Sequence, residues 1–78
     1  MKFAVYTKTG CPYCDKIKTV LSAKGYNYAE YILDRDFTRE QFYSQFGQGS
    51  TFPRVILDDK VLGGCTESVQ YLMSKGLI

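Results

Sequence analysis

The chain contains no histidine. That absence removes Ser-His-Asp and Cys-His catalysis and every zinc site built on imidazole, so a reactive group here must be activated by other means. Long apolar runs are also missing. The first one stops at Tyr6, where threonine, lysine and glycine follow, which is too short for a signal-peptide core or a membrane span and predicts a cytoplasmic protein. Net charge is low, at +2, and the aromatic residues are not interleaved with basic ones, which argues against a nucleic-acid partner. There is no internal repeat, linker or low-complexity stretch.

Present instead are 78 residues, 45% hydrophobic and 23% charged, the composition of one folded domain spanning 1–78. Charge is unevenly spread. Residues 1–24 carry Lys2, Lys8, Lys16, Lys18 and Lys24 against Asp15 alone, so the positive field belongs to the N-terminal third. Three cysteines, Cys11, Cys14 and Cys65, cannot pair completely, and a C-x-x-C with one odd thiol reads as redox or metal chemistry. A structural zinc wants four ligands; with three thiols and no imidazole, no metal is expected.

Strand and helix patterns alternate. A short strand over Phe3–Tyr6 leads into a helix from Pro12 to Lys24, with Cys14, Ile17, Val20 and Leu21 on one face, Pro12 at the first helical position and Gly25 as the stop. A second strand, Tyr28–Leu33, completes a β-α-β unit with parallel strands. Thr38 and Gln41 form a capping box, with Phe37 and Phe42 placed as a hydrophobic staple, for a second helix that ends at Gly47. Arg54–Leu57 and Lys60–Leu62, joined by Asp58-Asp59, predict an antiparallel hairpin. A last helix runs from Thr66, its predicted N-cap, to Lys75, with Val69, Leu72 and Met73 inward. Phe3, Tyr6, Phe42, Phe46 and Leu72 are expected in the core. The order is β-α-β-α-β-β-α, an α/β fold with a mixed sheet.

Cys11-Pro12-Tyr13-Cys14 stands after a strand and at a helix N-terminus, where free N–H groups and the helix dipole favour a thiolate. Thiols so placed titrate between about 3.5 and 7.5 in general. Lys8, Lys16 and Lys18 add positive potential. Cys14, one turn into the helix, reaches Cys11 but is covered, so Cys11 is expected to be the exposed nucleophile and Cys14 the resolving thiol.

Three separated segments resemble the glutaredoxins of the thioredoxin-like superfamily: Tyr6-Thr7-Lys8-Thr9-Gly10-Cys11-Pro12-Tyr13-Cys14, Thr51-Phe52-Pro53, and Gly63-Gly64-Cys65-Thr66. The resemblance covers essentially the whole chain. It implies a thioredoxin-like fold, with a four-stranded mixed sheet flanked by three helices, and glutathione as the reducing co-substrate. Cys-Pro-Tyr-Cys resembles the dithiol class; thioredoxins usually carry Gly-Pro and a preceding tryptophan, and this chain has no tryptophan. The implied partners are disulfide-containing or glutathionylated proteins, ribonucleotide reductase among them, acting on a monomer. Two alternatives stay open: electron supply by a thioredoxin-type reductase, and an iron-sulfur cluster held by Cys11 and glutathione, against which Cys14 and Pro12 argue.

The resemblance also implies residue roles. Pro53 is cis, and the Phe52 backbone offers a strand edge to glutathione; Phe52 stands where a smaller aliphatic residue is usual. Free N–H groups of Gly64, Cys65 and Thr66 hold the γ-glutamyl carboxylate, and the Thr66 hydroxyl accepts from its ammonium. Lys8 is first choice for the glycine carboxylate, ahead of Arg39 and Gln48, and Tyr13 covers the ligand sulfur. Cys65 is read as a small packed residue; the alternative is a thiol activated by the helix start.

Overall fold

A computed structural model describes residues 1–78. Its elements are β1 (Phe3–Thr7), α1 (Pro12–Ala23), β2 (Tyr28–Ile32), α2 (Arg39–Phe46), β3 (Arg54–Leu57), β4 (Lys60–Gly63) and α3 (Cys65–Ser74). The strands form one sheet in the order β2-β1-β3-β4; β1 and β2 are parallel, while β3 is antiparallel to both β1 and β4. This is the thioredoxin-like architecture, in the predicted order of elements.

Alternation along β1 sorts the two faces. Phe3, Val5 and Thr7 are buried with Val55 and Leu57, their partners in register being Phe3 with Leu57 and Val5 with Val55. Ile17 and Leu21 from α1 and Leu72 from α3 close over this face to make the core. Side chains of the opposite parity meet α2: the Tyr6 ring lies 5.2 Å from Phe37 and 5.0 Å from Phe46. Tyr6 and Phe46 are therefore half-buried members of an aromatic layer rather than of the main core. Phe42, fully buried, stacks on Phe52 with centroids 4.2 Å apart and planes 11° apart.

The second helix begins as its sequence dictates. The Thr38 hydroxyl accepts from Gln41 N–H at 3.1 Å, the Gln41 side chain accepts from Thr38 N–H at 2.9 Å, and Phe37 stacks on Phe42 at 5.6 Å. These contacts satisfy donors the helix itself leaves open.

Six boundaries differ from the sequence reading, among them those of β4, which runs on to Gly63, and of α3, which ends at Ser74 with Lys75 as its C-cap. β1 extends to Thr7, because that residue still pairs with Ile32. α1 ends at Ala23, with Lys24 as its C-cap. β2 stops at Ile32, since Asp34 turns the chain with φ 70° and Leu33 keeps only a lone bridge to Phe37. α3 starts at Cys65 with Gly64 as N-cap, so Thr66 lies inside the first turn and is not the cap. The inner face of α3 also differs from expectation. Ser68 joins Cys65 and Leu72 inside, Val69 is half-buried, and Met73 points outward with 63% of its surface exposed. Val20 on α1 is likewise half-buried.

Candidate active site

The chain leaves β1 at Thr7 and enters α1 at Pro12, and the turn between them carries Cys11. Gly10, with φ 73°, takes the left-handed conformation that lets the chain double back into the helix. Cys11 is the N-cap of α1, and its sulfur accepts from the Cys14 N–H at 3.2 Å. A cysteine therefore does here what serine or threonine does at an ordinary helix start. Pro12 at the first helical position gives up an N–H that would have had no partner.

Cys11 and Cys14 are joined as a disulfide, with Cα atoms 5.2 Å apart. Cys11 is 6% exposed and Cys14 1%, so the expectation that Cys11 stands exposed is corrected: both sulfurs are covered in the oxidised form, Cys14 the more completely.

A cleft is lined by Tyr13, Thr51, Phe52, Pro53, Gly64, Cys65, Thr66 and Glu67. Its volume is about 130 Å3, below the roughly 300 Å3 at which pockets begin to enclose a drug-sized ligand, so a peptide-sized ligand would lie across it. Three distant segments meet here: the first turn of α1, the loop before β3 and the start of α3. The Phe52–Pro53 bond is cis, as the resemblance implies. The Phe52 ring turns toward α2 and stacks on Phe42, so the larger side chain at this position is absorbed by the aromatic layer. Lys8 Nζ sits 5.6 Å from the centroid of the same ring but does not line the cleft; it belongs to a separate hollow with Gly10, Asp15, Lys18 and Glu30, whereas Tyr13, largely exposed, is a cleft residue. Arg39 and Gln48 are exposed and do not line the cleft.

The α3 start differs from expectation in one donor. Gly64 N–H is not free: it donates to Glu67 Oε1 at 2.9 Å. Cys65, Thr66 and Glu67 are then the first-turn residues whose N–H groups have no helical acceptor, the first helical bond being Ser68 N–H to the Gly64 carbonyl. Gly63, at φ 109°, is tightly faced by the same side chain, with an added Cβ falling 3.1 Å from Glu67 Cβ. Sequence reasoning passed over Glu67 and Thr51 as cleft residues. Glu67 had a legible signal, an acid three residues after a helix cap and within the first turn.

Cys65 is buried and unpaired, and burial pushes its thiol above the ordinary value, with nearby Lys16 pulling only partly the other way. Cys65 is thus a packed residue of the core cluster, as the first of the two readings expects.

Beneath the turn lies a polar group on the α1 face of the sheet. Glu30 Oε2 accepts from the Thr7 hydroxyl and from Lys18 Nζ, each at 2.8 Å, and Lys18 is also 3.6 Å from Asp15 Oδ1. The Lys18 hydrogen bond holds the Glu30 carboxyl below its usual range, and Glu30 in turn raises Lys18.

A family model described as Glutaredoxin matches residues 3–62, which contain the cysteine pair, the cis proline and all four strands but for the last residue of β4. The chain belongs to the glutaredoxin family. With its adjacent cysteine pair, it is a thiol-disulfide oxidoreductase. Glutaredoxin 3 of Escherichia coli (strain K12) is 36% identical over 64 residues, which make up 81% of this chain and 76% of that one. Glutaredoxin 1 from Francisella tularensis, solved in complex with cacodylate, matches with a TM-score of 0.81 at 32% identity, over 97% of this chain and 95% of that one. The buckwheat glutaredoxin-glutathione complex matches with a TM-score of 0.77 at 28% identity, covering 96% of this chain and 70% of its own. No helix of this glutaredoxin is long and apolar enough to cross a membrane.

Proposed function

We propose that this glutaredoxin reduces glutathione mixed disulfides and protein disulfides with glutathione as the electron donor, using Cys11 as nucleophile and Cys14 as resolving thiol. The observation that carries the reading is the Cys14 N–H directed at Cys11 Sγ over 3.2 Å, beside a cleft with a cis-proline wall. A donor already aimed at the sulfur stabilises negative charge there without histidine.

Cys11 thiolate attacks the glutathione sulfur of a mixed disulfide. The S–S bond breaks, the substrate leaves as a thiolate, and Cys11 becomes joined to glutathione. A second glutathione thiolate attacks that sulfur, releases Cys11 and forms glutathione disulfide. With a protein disulfide, Cys14 displaces the substrate from Cys11, and two glutathiones reduce the resulting Cys11–Cys14 disulfide. In this reading the Pro53 wall and the Phe52 backbone align the tripeptide, Cys65 and Thr66 N–H groups and the Gly64 turn receive its γ-glutamyl end, Tyr13 closes over the sulfur and Lys8 meets the glycine carboxylate. The chain works as a monomer in a reducing, cytoplasmic setting, on glutathionylated or disulfide-bonded proteins; ribonucleotide reductase is one such substrate.

The test measures reduction of a small glutathione mixed disulfide coupled to glutathione, glutathione reductase and NADPH, with thioredoxin reductase as a parallel donor. Cys14→Ser should retain turnover and Cys11→Ser should have none. Turnover by Cys11→Ser would refute the assignment, and activity with thioredoxin reductase alone would withdraw glutathione as donor. A brown, iron- and sulfide-loaded protein after anaerobic reconstitution would favour the cluster-binding alternative.

A further inference from the structure

Glu30 lies on the edge strand β2, and none of its atoms belongs to the cleft. Its Oε2 nevertheless holds both ends of the active turn. Thr7, buried at 2% exposure, is the last residue of β1 and stands four residues before Cys11. Lys18 is four residues beyond Cys14, one turn further along α1. One oxygen accepts from both, at 2.8 Å each. Glu30 is the register partner of Val5, so Thr7 is its diagonal neighbour on the same face, near enough for the hydroxyl to reach it.

We propose that Glu30 is a positioning residue for the thiol-disulfide reaction: by tying the end of β1 to α1 through Thr7 and Lys18, it keeps the first turn of α1 aimed at Cys11 sulfur. An exposed ion pair would be too loose to do this. Here both side chains are about one-quarter exposed, and the carboxylate receives a hydroxyl as well as an ammonium. A supporting group of this kind holds a reacting group's geometry without touching it. The other charges around the pair are Lys8, which lines the same hollow, Asp15 on α1 and Arg35 after β2, and both Glu30 and Lys18 are held in their charged forms by one another.

Charge and position can be separated, because they push Cys11 in opposite directions. Removing the negative charge of Glu30 makes the surroundings more positive and favours the thiolate. Loosening the turn weakens the N–H···S contact and disfavours it. Glu30→Gln removes the charge but keeps an oxygen able to accept from Thr7 and Lys18; Glu30→Ala removes both. Reduced protein is treated with iodoacetamide across a pH series, and Cys11 alkylation is followed by peptide mass spectrometry, which separates it from Cys14 and Cys65. On the acid side of the profile, Glu30→Ala should react at least about threefold more slowly than Glu30→Gln, a displacement of roughly half a pH unit. Equal rates for the two variants, or a faster Glu30→Ala, would overturn the proposal. Thr7→Val and Thr7→Ser repeat the test at unchanged charge should Glu30→Ala fail to fold: valine should slow Cys11 and serine restore it, and a Thr7→Val profile matching wild type would overturn the proposal equally. This readout needs only the thiolate of Cys11, so it stands apart from the choice of glutathione as donor.

Discussion

Replacing Ser68 by alanine should stabilise the protein. Ser68 is completely buried on the inner face of α3, between Cys65 and Leu72, and its hydroxyl has no hydrogen-bond partner. The Gly64 carbonyl one turn back accepts from the Ser68 N–H at 3.0 Å, but the hydroxyl does not share it. An unpaired buried hydroxyl costs about 1–3 kcal/mol relative to water, and alanine gains roughly another 0.5 kcal/mol of helix propensity. Against this, losing one oxygen leaves a void no larger than a methyl group, which costs up to about 1 kcal/mol. The balance is a gain of about 0.5–3.5 kcal/mol. For a chain of this size each kcal/mol raises Tm by roughly 4–8 °C. The assay is equilibrium urea unfolding of the oxidised proteins, in which Ser68→Ala should raise the midpoint and leave the slope unchanged. A lower midpoint for Ser68→Ala would refute the reasoning, because it would mean that the hydroxyl is satisfied in solution.

Phe42 carries the aromatic layer and backs Phe52, so Phe42→Ala should cost about 3–5 kcal/mol, a large share of a total near ~4–12 kcal/mol, while Phe42→Leu should cost far less; urea unfolding checks both. Stability should also respond to acid through Glu30, whose folded carboxyl lies below its ordinary value near 4.5. Its contribution is complete above that value and disappears as the pH falls through the lower folded value, so the urea midpoints of wild type and Glu30→Gln should stay apart above 4.5 and converge as the pH falls from there through the lowered folded value. A gap that stays constant over that range would show that the pair contributes nothing to stability. Lys18 has the opposite sign: its contribution is complete below 10.5 and is lost only as the pH rises through its raised folded value.

Local signals were enough for much of this protein. The order of elements, the capping box at Thr38, the Phe37–Phe42 staple, the Pro12 helix start and the Cys11–Cys14 spacing are each decided by residues within one or two turns of one another, so the sequence alone determines them. The same holds for the candidate chemistry, since a chain without histidine whose paired thiols sit at a helix N-terminus has few other ways to make a reactive group. Contacts across the fold decided the rest. Thr66 looked like the cap of α3, but Gly64 took that place, with Glu67 reaching back to its N–H, and packing of Cys65 and Leu72 into the core buried Ser68 and left Met73 exposed. Cys65 sits at a helix start, which favours a thiolate, yet packing removed it from water and raised its thiol instead. Phe52 and Lys8 are 44 residues apart and became neighbours only when β1 and β3 paired. Thr7, Lys18 and Glu30 each look unremarkable in sequence, one at a strand end, one on a helix and one on another strand. Only the parallel register of β1 and β2, with α1 laid across them, brings the three polar groups to a single oxygen, because hydrogen bonds between distant segments exist only once the backbone has fixed their distance.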